Sequence, residues 1–315
     1  MTLDLKRAGF LAAAAACLWP AVSAPLALAA GVAFAVLVGN PLAEMSARAS
    51  GLLLKVAVVG LGFGLPLSAV YQTGAPGLAL TGLAVLAVLG LGLAMARMLA
   101  VPRDAGVLIS VGTAICGGSA IAAVAPILGA RRESVAVALA VVFVLNALAL
   151  YLFPALGQAL GLSQSAFAYW SAIAIHDTSS VIGAASVYGA EALDQATILK
   201  LARALWIVPI ALAFAAWTSA RGRRGEAAIR WPWFIGLFVL AAGARSAAPG
   251  LEAVFDALAS AARQLMVVVL FLIGSGLSVE ALRSIGWRAL AHAVSLWLIV
   301  SALALLAVVG IAAMR

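Results

Sequence analysis

The stretch Gly112-Thr113-Ala114-Ile115-Cys116-Gly117-Gly118-Ser119-Ala120 reads GTAICGGSA and lies between the apolar runs AGVLISV (105–111) and IAAVAPILGA (121–130). Three glycines among hydroxyl and thiol side chains, in the middle of an oily segment, predict a helix that breaks inside a membrane. A backbone group without a partner in hydrocarbon costs several kcal/mol, so such a break persists only where protein or a water-filled cavity covers it. The half-helix that starts at GGSA (117–120) would aim free N–H groups and a positive dipole end at the midplane, a natural seat for an anion. Thr113 and Ser119 add hydroxyl donors, and Cys116, Gly117 and Gly118 complete the predicted seat. The competing reading is close helix packing by small residues.

Composition sets the class. The 315 residues are 66% hydrophobic and 10% charged, and the mean hydropathy is +1.18, well outside the range of soluble domains. A single all-α polytopic membrane domain is expected. The net charge of +8 does not point to nucleic acid, because the arginines fall in short loops such as RGRRGEAAIR (221–230) with no basic face interleaved with aromatics. Cys17 and Cys116 both lie in apolar runs without CxxC or His-rich spacing, so neither a disulfide framework nor a metal site is expected, and no cofactor motif is present.

About eleven spans follow from apolar runs of roughly 20 residues. They centre on 8–22, 24–40, 50–70, 75–97, 104–129, 133–154, 166–188, 195–217, 232–247, 253–278 and 288–312. Segment 1–23 carries Lys6-Arg7, an apolar run and AVSA, and it reads either as a signal-like segment or as an extra first span. A cytoplasmic amino terminus puts Arg48, Arg97, Arg103, the 221–230 cluster, Arg283 and Arg288 inside, with Glu191, Asp194, Glu252 and Asp256 outside. Arg131-Arg132-Glu133 disagrees with that assignment, which makes 104–129 the span least expected to cross simply. Tryptophans 170, 206, 217, 231 and 233 are read as interfacial anchors.

Internal similarity suggests two inverted five-helix repeats, 24–154 and 155–315. GLLLKVAVVGLGFGLPL (51–67) aligns with ATILKLARALWIVPIAL (196–212), so that Lys55 faces Lys200, and the glycine-bearing LIGSGLS (272–278) falls opposite GTAICGGSA. Gly274, Ser275 and Gly276 are therefore expected to form the second broken helix terminus.

A second constellation, AIHDTSSVIGAA (174–185), holds the only His–Asp pair of the chain inside an apolar run. Ionisable groups at that depth mark pathways, relays or structural bridges. His176 and Asp177 are the expected proton-coupling pair, and Thr178, Ser179 and Ser180 are candidate substrate ligands. Asp177-Thr178-Ser179-Ser180 also reads as a helix N-cap. Lys200, and Arg203 about one turn beyond it, would leave the interior net positive against Asp177, which suits an anion as substrate. On that reading, replacing Arg203 by Gln weakens anion binding and leaves folding intact. His292 reads as a packing histidine and Asn146 as an interhelical hydrogen bond.

LVGN (37–40), LLLK (52–55), GTAICGGSAIAA (112–123), HDTSSVIGAA (176–185), LKLARALWIVP (199–209) and GSGLS (274–278) together resemble the YeiH-type sulfate exporter family. That resemblance implies an inner-membrane transporter of the bile-acid symporter and NhaA-like group, with inverted repeats and broken crossing helices. It also supplies a substrate class, sulfate or related sulfur oxyanions. The expected function is secondary active export of a small inorganic anion, coupled to protons. A proton- or sodium-coupled cation antiporter in the same fold is the alternative, and a Ser119–His176 intramembrane protease a remote one; no enzyme activity is expected. The expected partners are the anion, a coupling proton or sodium ion and the lipid bilayer, with a homodimer left open.

Overall fold

The computed structural model describes residues 3–220, 232–276 and 285–313. The predicted 221–230 loop, Arg283, Trp231 and the end of LIGSGLS lie outside the described residues. Fourteen helices and no strand are present among the described residues: α1 (Leu3–Ala16), α2 (Ala24–Leu37), α3 (Ala43–Gly62), α4 (Leu67–Met98), α5 (Arg103–Ala114), α6 (Gly118–Leu128), α7 (Arg132–Ala159), α8 (Gln164–Ala174), α9 (Thr178–Tyr188), α10 (Ala190–Leu205), α11 (Ile207–Ser219), α12 (Trp233–Ala247), α13 (Glu252–Ser275) and α14 (Trp287–Ala313).

Six of these stretches are long and apolar enough to cross a membrane: α3, α4, α7, α10 with α11, α13 and α14. The other five predicted spans take two forms. The segments predicted at 104–129 and 166–188 are each two half-helices, α5/α6 and α8/α9, of 11 or 12 residues per half. Those at 8–22, 24–40 and 232–247 are single helices of 14, 14 and 15 residues. Length and hydropathy alone therefore support six crossings rather than eleven. The broken pairs escape a length criterion because each half is about 17 Å long, short of the roughly 30 Å hydrocarbon core.

Helix α13 runs from Glu252 to Ser275 with Gly276 as its C-cap, so a helix terminus falls at Gly274–Gly276 as expected, and residues 277–284 beyond it lie outside the described residues. Another break, at Ile175-His176-Asp177, lies between α8 and α9. Gly274 and Ser275 have a packing reason. A Cβ on Gly274 would sit 2.5 Å from Leu28 O, and one on Gly31 would overlap Phe271 O, so α2 and α13 meet backbone to backbone. Asn40 Nδ2 donates to Ser275 O at 3.1 Å and to Ser46 Oγ at 2.9 Å, which ties the end of α13 to the α2–α3 turn. The two interrupted segments return on themselves: Arg131 N, after α6, donates to Asp104 Oδ2 at the start of α5 at 3.3 Å, and Tyr188 Oη, at the end of α9, donates to Leu162 O just before α8 at 2.6 Å.

Around the breaks, α4 packs on α5, α10 on α4, α8 and α9, and α7 on α5 and α9. Trp170 is buried rather than interfacial: it stacks on Phe153 at 4.3 Å and donates to Ser301 O at 2.9 Å. Lys55 reaches to 5.9 Å from the Trp233 ring and takes no part in the crossing, whereas Lys200 does. His292 packs as expected, with Nε2 donating to Gly92 O at 2.9 Å.

Candidate functional site

The two breaks cross. A Cβ placed on Gly117 would lie 3.5 Å from both Cα and Cβ of Asp177, so the α5/α6 break rests directly on the α8/α9 break. Gly117 holds φ +64° and ψ −126°, a region that only glycine enters without strain, and Val142 of α7 closes the remaining space at 3.3 Å. Gly117→Ala is expected to cost on the order of 1–3 kcal/mol and to lower the apparent Tm of the purified protein; an unchanged Tm would refute this.

Interrupting a helix orphans the carbonyls at its C-terminal end, and here those of α5 and most of those of α8 are traced to partners. In α5, Val111 O accepts from Ile115 N at 3.1 Å and Gly112 O from Gly117 N at 2.9 Å. Arg203 satisfies the next two, with Nε donating to Ala114 O at 2.6 Å and Nη2 to Thr113 O at 2.8 Å. The same guanidinium turns its Nη1 to α8, donating to Ala172 O at 3.0 Å and to Ile173 O. Lys200 Nζ donates to Ile175 O at 2.7 Å and Ala172 O at 3.3 Å. Both cations are fully buried and sit against the negative dipole ends of α5 and α8. They hold the crossing open-ended helices together; they are not the free anion ligands that charge counting alone suggests.

The N-terminal ends differ from each other. Helix α9 is capped by Asp177, whose Oδ2 accepts from Ser179 N at 3.0 Å and from the Ser179 hydroxyl. Helix α6 has no side-chain cap. Its first intrahelical bond is Ile121 N to Gly117 O, so the amides of Gly118 and Ser119 precede the hydrogen-bonded ladder. Ser119 is exposed there, Gly118 is half-buried, and Thr178, Ser179 and Ser180 are buried.

Asn146, on α7, was read from sequence only as an interhelical hydrogen bond, and it does make one: Oδ1 accepts from His176 N at 3.1 Å and Asp177 N at 3.2 Å. Among the described residues its Nδ2 is buried without a partner. So are both ring nitrogens of His176 and the Thr113 hydroxyl. Gly118 contacts Leu139 and Phe143, which lie on the same α7 stripe as Asn146. The crossing thus gathers Thr113, Cys116, Gly117, Gly118, Asn146, His176 and Asp177. It leaves out Gly274 and Ser275, which belong to the contact of α13 with α2 and the α2–α3 turn, and Gly276, the C-cap of α13. The only signal for Asn146 in the sequence was a lone amide in the apolar run VVFVLNALAL (141–150).

The atoms left over at the crossing include several donors. Asn146 Nδ2 and the amides at the start of α6 are donors, and the Thr113 hydroxyl and one nitrogen of a neutral His176 can donate as well. Two buried basic side chains, Lys200 and Arg203, stand against one buried acidic one, Asp177. Donors facing a site of positive potential recognise anions. No hydrogen bond joins Ser119 to His176.

A family model described as conserved hypothetical protein 698 matches residues 8–293. The chain is 46% identical over 304 residues to a UPF0324 membrane protein of Geobacter sulfurreducens, covering 96% of each chain. A UPF0324 membrane protein of Bdellovibrio bacteriovorus is 44% identical over 301 residues, covering 94% of this chain and 92% of the relative. One of Vibrio vulnificus is 43% identical over 300 residues, covering 95% and 96%. No solved structure matches.

Proposed function

The chain belongs to the UPF0324 membrane protein family, that of conserved hypothetical protein 698, and from that premise we propose that it is a secondary transporter of a small inorganic anion. The observation that carries this reading is the buried crossing of two interrupted helices, where α6 leaves an uncapped positive end beside the unpartnered polar atoms of Asn146, His176 and Thr113. A protein with only structural work to do would fill those positions or make them apolar, because buried polar atoms without partners are costly. Broken helices that meet in a membrane are the means by which transporters present backbone dipoles to a solute.

Sulfate or a related sulfur oxyanion is the proposed substrate, and Asp177 with His176 the proposed coupling site. Two buried basic side chains, Lys200 and Arg203, against one buried acidic one, Asp177, support an anion as the solute. Sulfate moving with one proton carries net charge −1, and an inside-negative potential drives that charge outward with about 2.3 kcal/mol per 100 mV. Export across the inner membrane with a cytoplasmic amino terminus, a fold of the bile-acid symporter and NhaA-like type, and an optional homodimer complete the reading. No enzymatic step is part of it.

The test is counterflow of radiolabelled sulfate in liposomes carrying the purified protein, with sulfite, thiosulfate, small organic anions and sodium as competitors at acidic and alkaline pH. Saturable, pH-dependent counterflow that His176→Ala reduces at least tenfold is expected. Sodium-dependent proton movement without anion counterflow would transfer the reading to a cation antiporter with Asp177 as the ion carrier.

A further inference from the structure

Helices α4 and α10 run side by side in the same direction, with Gly74 against Ile198 and Gly77 against Leu199. They meet again where Gly82 abuts the Trp206 indole, whose Nε1 donates to Leu78 O at 3.2 Å. Beyond that pinch they part. Pro209 has no N–H, and its ring clashes with the carbonyl four residues back, so α10 ends at Leu205 and α11 sets off from Trp206. Helix α11 then packs on α6, while α4 stays with α5.

The divergence leaves a groove of about 520 Å³ between α4, α5 and α11. Its depth is apolar, lined by Leu89, Leu93, Val107, Ile210 and Phe214, and its mouth carries Arg97 and Arg103. The Arg103 guanidinium lies 4.8 Å over the Trp217 ring, an amphipathic pair of the kind found at a membrane–water boundary. Both arginines are exposed, and neither forms an ion pair with a carboxylate among the described residues. Arg288 approaches the same end of α4 at Ala100 O, 3.5 Å away. From Leu89 to Arg97 the groove follows α4 for about 12 Å, roughly one leaflet's worth of acyl chain.

We propose that this groove is a binding site for an anionic phospholipid, with the phosphate between Arg97 and Arg103 and an acyl chain lying along Leu89, Leu93 and Phe214. Charge complementarity selects the occupant. A neutral lipid fills the depth but brings no net negative charge to the two arginines at the mouth, whereas a free phosphate brings the charge and leaves the apolar depth empty. Basic pockets between membrane helices on the cytoplasmic side recognise acidic lipid headgroups, and the distribution of arginines places this mouth on that side.

The test uses the delipidated full chain in neutral detergent, titrated separately with phosphatidylglycerol, phosphatidylcholine and glycerol 1-phosphate. Native mass spectrometry reads the adducts and thermal unfolding reads the stabilisation. Phosphatidylglycerol should bind at least fivefold more tightly than phosphatidylcholine and raise the Tm, and glycerol 1-phosphate should do neither. Arg97→Gln with Arg103→Gln should erase the preference. Ala213→Trp, which fills the exposed edge of the groove and keeps both arginines, should expel the lipid. Equal binding of the two lipids, an unchanged preference in the double variant, or full competition by glycerol 1-phosphate would each overturn the proposal. Should Ala213→Trp fail to fold, the double variant at two exposed positions decides alone.

Discussion

Arg203→Gln is expected to yield a protein that fails to fold stably, rather than a folded carrier with weak affinity for its solute. The guanidinium bridges four carbonyls on two different half-helices, Thr113 and Ala114 of α5 and Ala172 and Ile173 of α8. A glutamine amide is shorter and has two donors on one nitrogen, so it cannot serve both helix ends. Hydrogen bonds to a charged donor contribute about 1.5–3 kcal/mol each, and an acceptor left buried without a partner adds its own desolvation cost. Losing two or more of them amounts to roughly 3 kcal/mol or more, a large share of the 5–15 kcal/mol typical of a folded domain. The apparent Tm in detergent should fall by on the order of 10 °C, with a loss of monodisperse protein on size exclusion. Arg203→Lys should recover part of the stability through one carbonyl set. A variant with wild-type Tm and lost transport would return Arg203 to the role of a solute ligand.

Asn146→Asp should do the reverse: keep the fold and remove the function. The aspartate retains the oxygen that accepts from His176 N and Asp177 N, so the α8/α9 break stays pinned to α7. What changes is the other terminus. A donor without a partner among the described residues becomes a carboxylate oxygen, which repels an anion. Anion counterflow should drop at least about tenfold, the equivalent of one lost hydrogen bond of roughly 1.4 kcal/mol, while the Tm stays within a few degrees. Asn146→Leu, which removes both ends of the amide, should lose stability as well. Full transport by Asn146→Asp would show that the free amide nitrogen does not face the solute.

Much of the crossing was legible in the residues. Three glycines around Thr113 and Cys116 could not continue a helix in hydrocarbon without cover, and the structure breaks there. Asp177 followed by Thr178 and Ser179 read as an N-cap, and it is one. The pairing of the breaks was not legible. LIGSGLS resembles GTAICGGSA in composition, but glycine serves two purposes, breaking a helix and letting two helices touch, and Gly274 serves the second. The roles of Lys200 and Arg203 were hidden for a related reason. A buried cation in a sequence announces only its charge. Its partners are backbone carbonyls that exist as acceptors only once a helix has been interrupted elsewhere in the chain. Asn146 was underestimated because its two ends act separately, one as a structural acceptor and the other as an unfilled donor.

The most direct measurement is equilibrium binding of radiolabelled sulfate to the purified protein, wild type beside Asn146→Asp, with both first shown to have the same Tm. Saturable binding by the wild type that is displaced by sulfite and thiosulfate, and that falls at least tenfold in the variant, is the result expected of an anion site at the crossing of α5/α6 and α8/α9. Binding of equal strength in both proteins would place the anion elsewhere. No anion binding in either, alongside sodium binding that Asp177→Asn abolishes, would contradict the account outright.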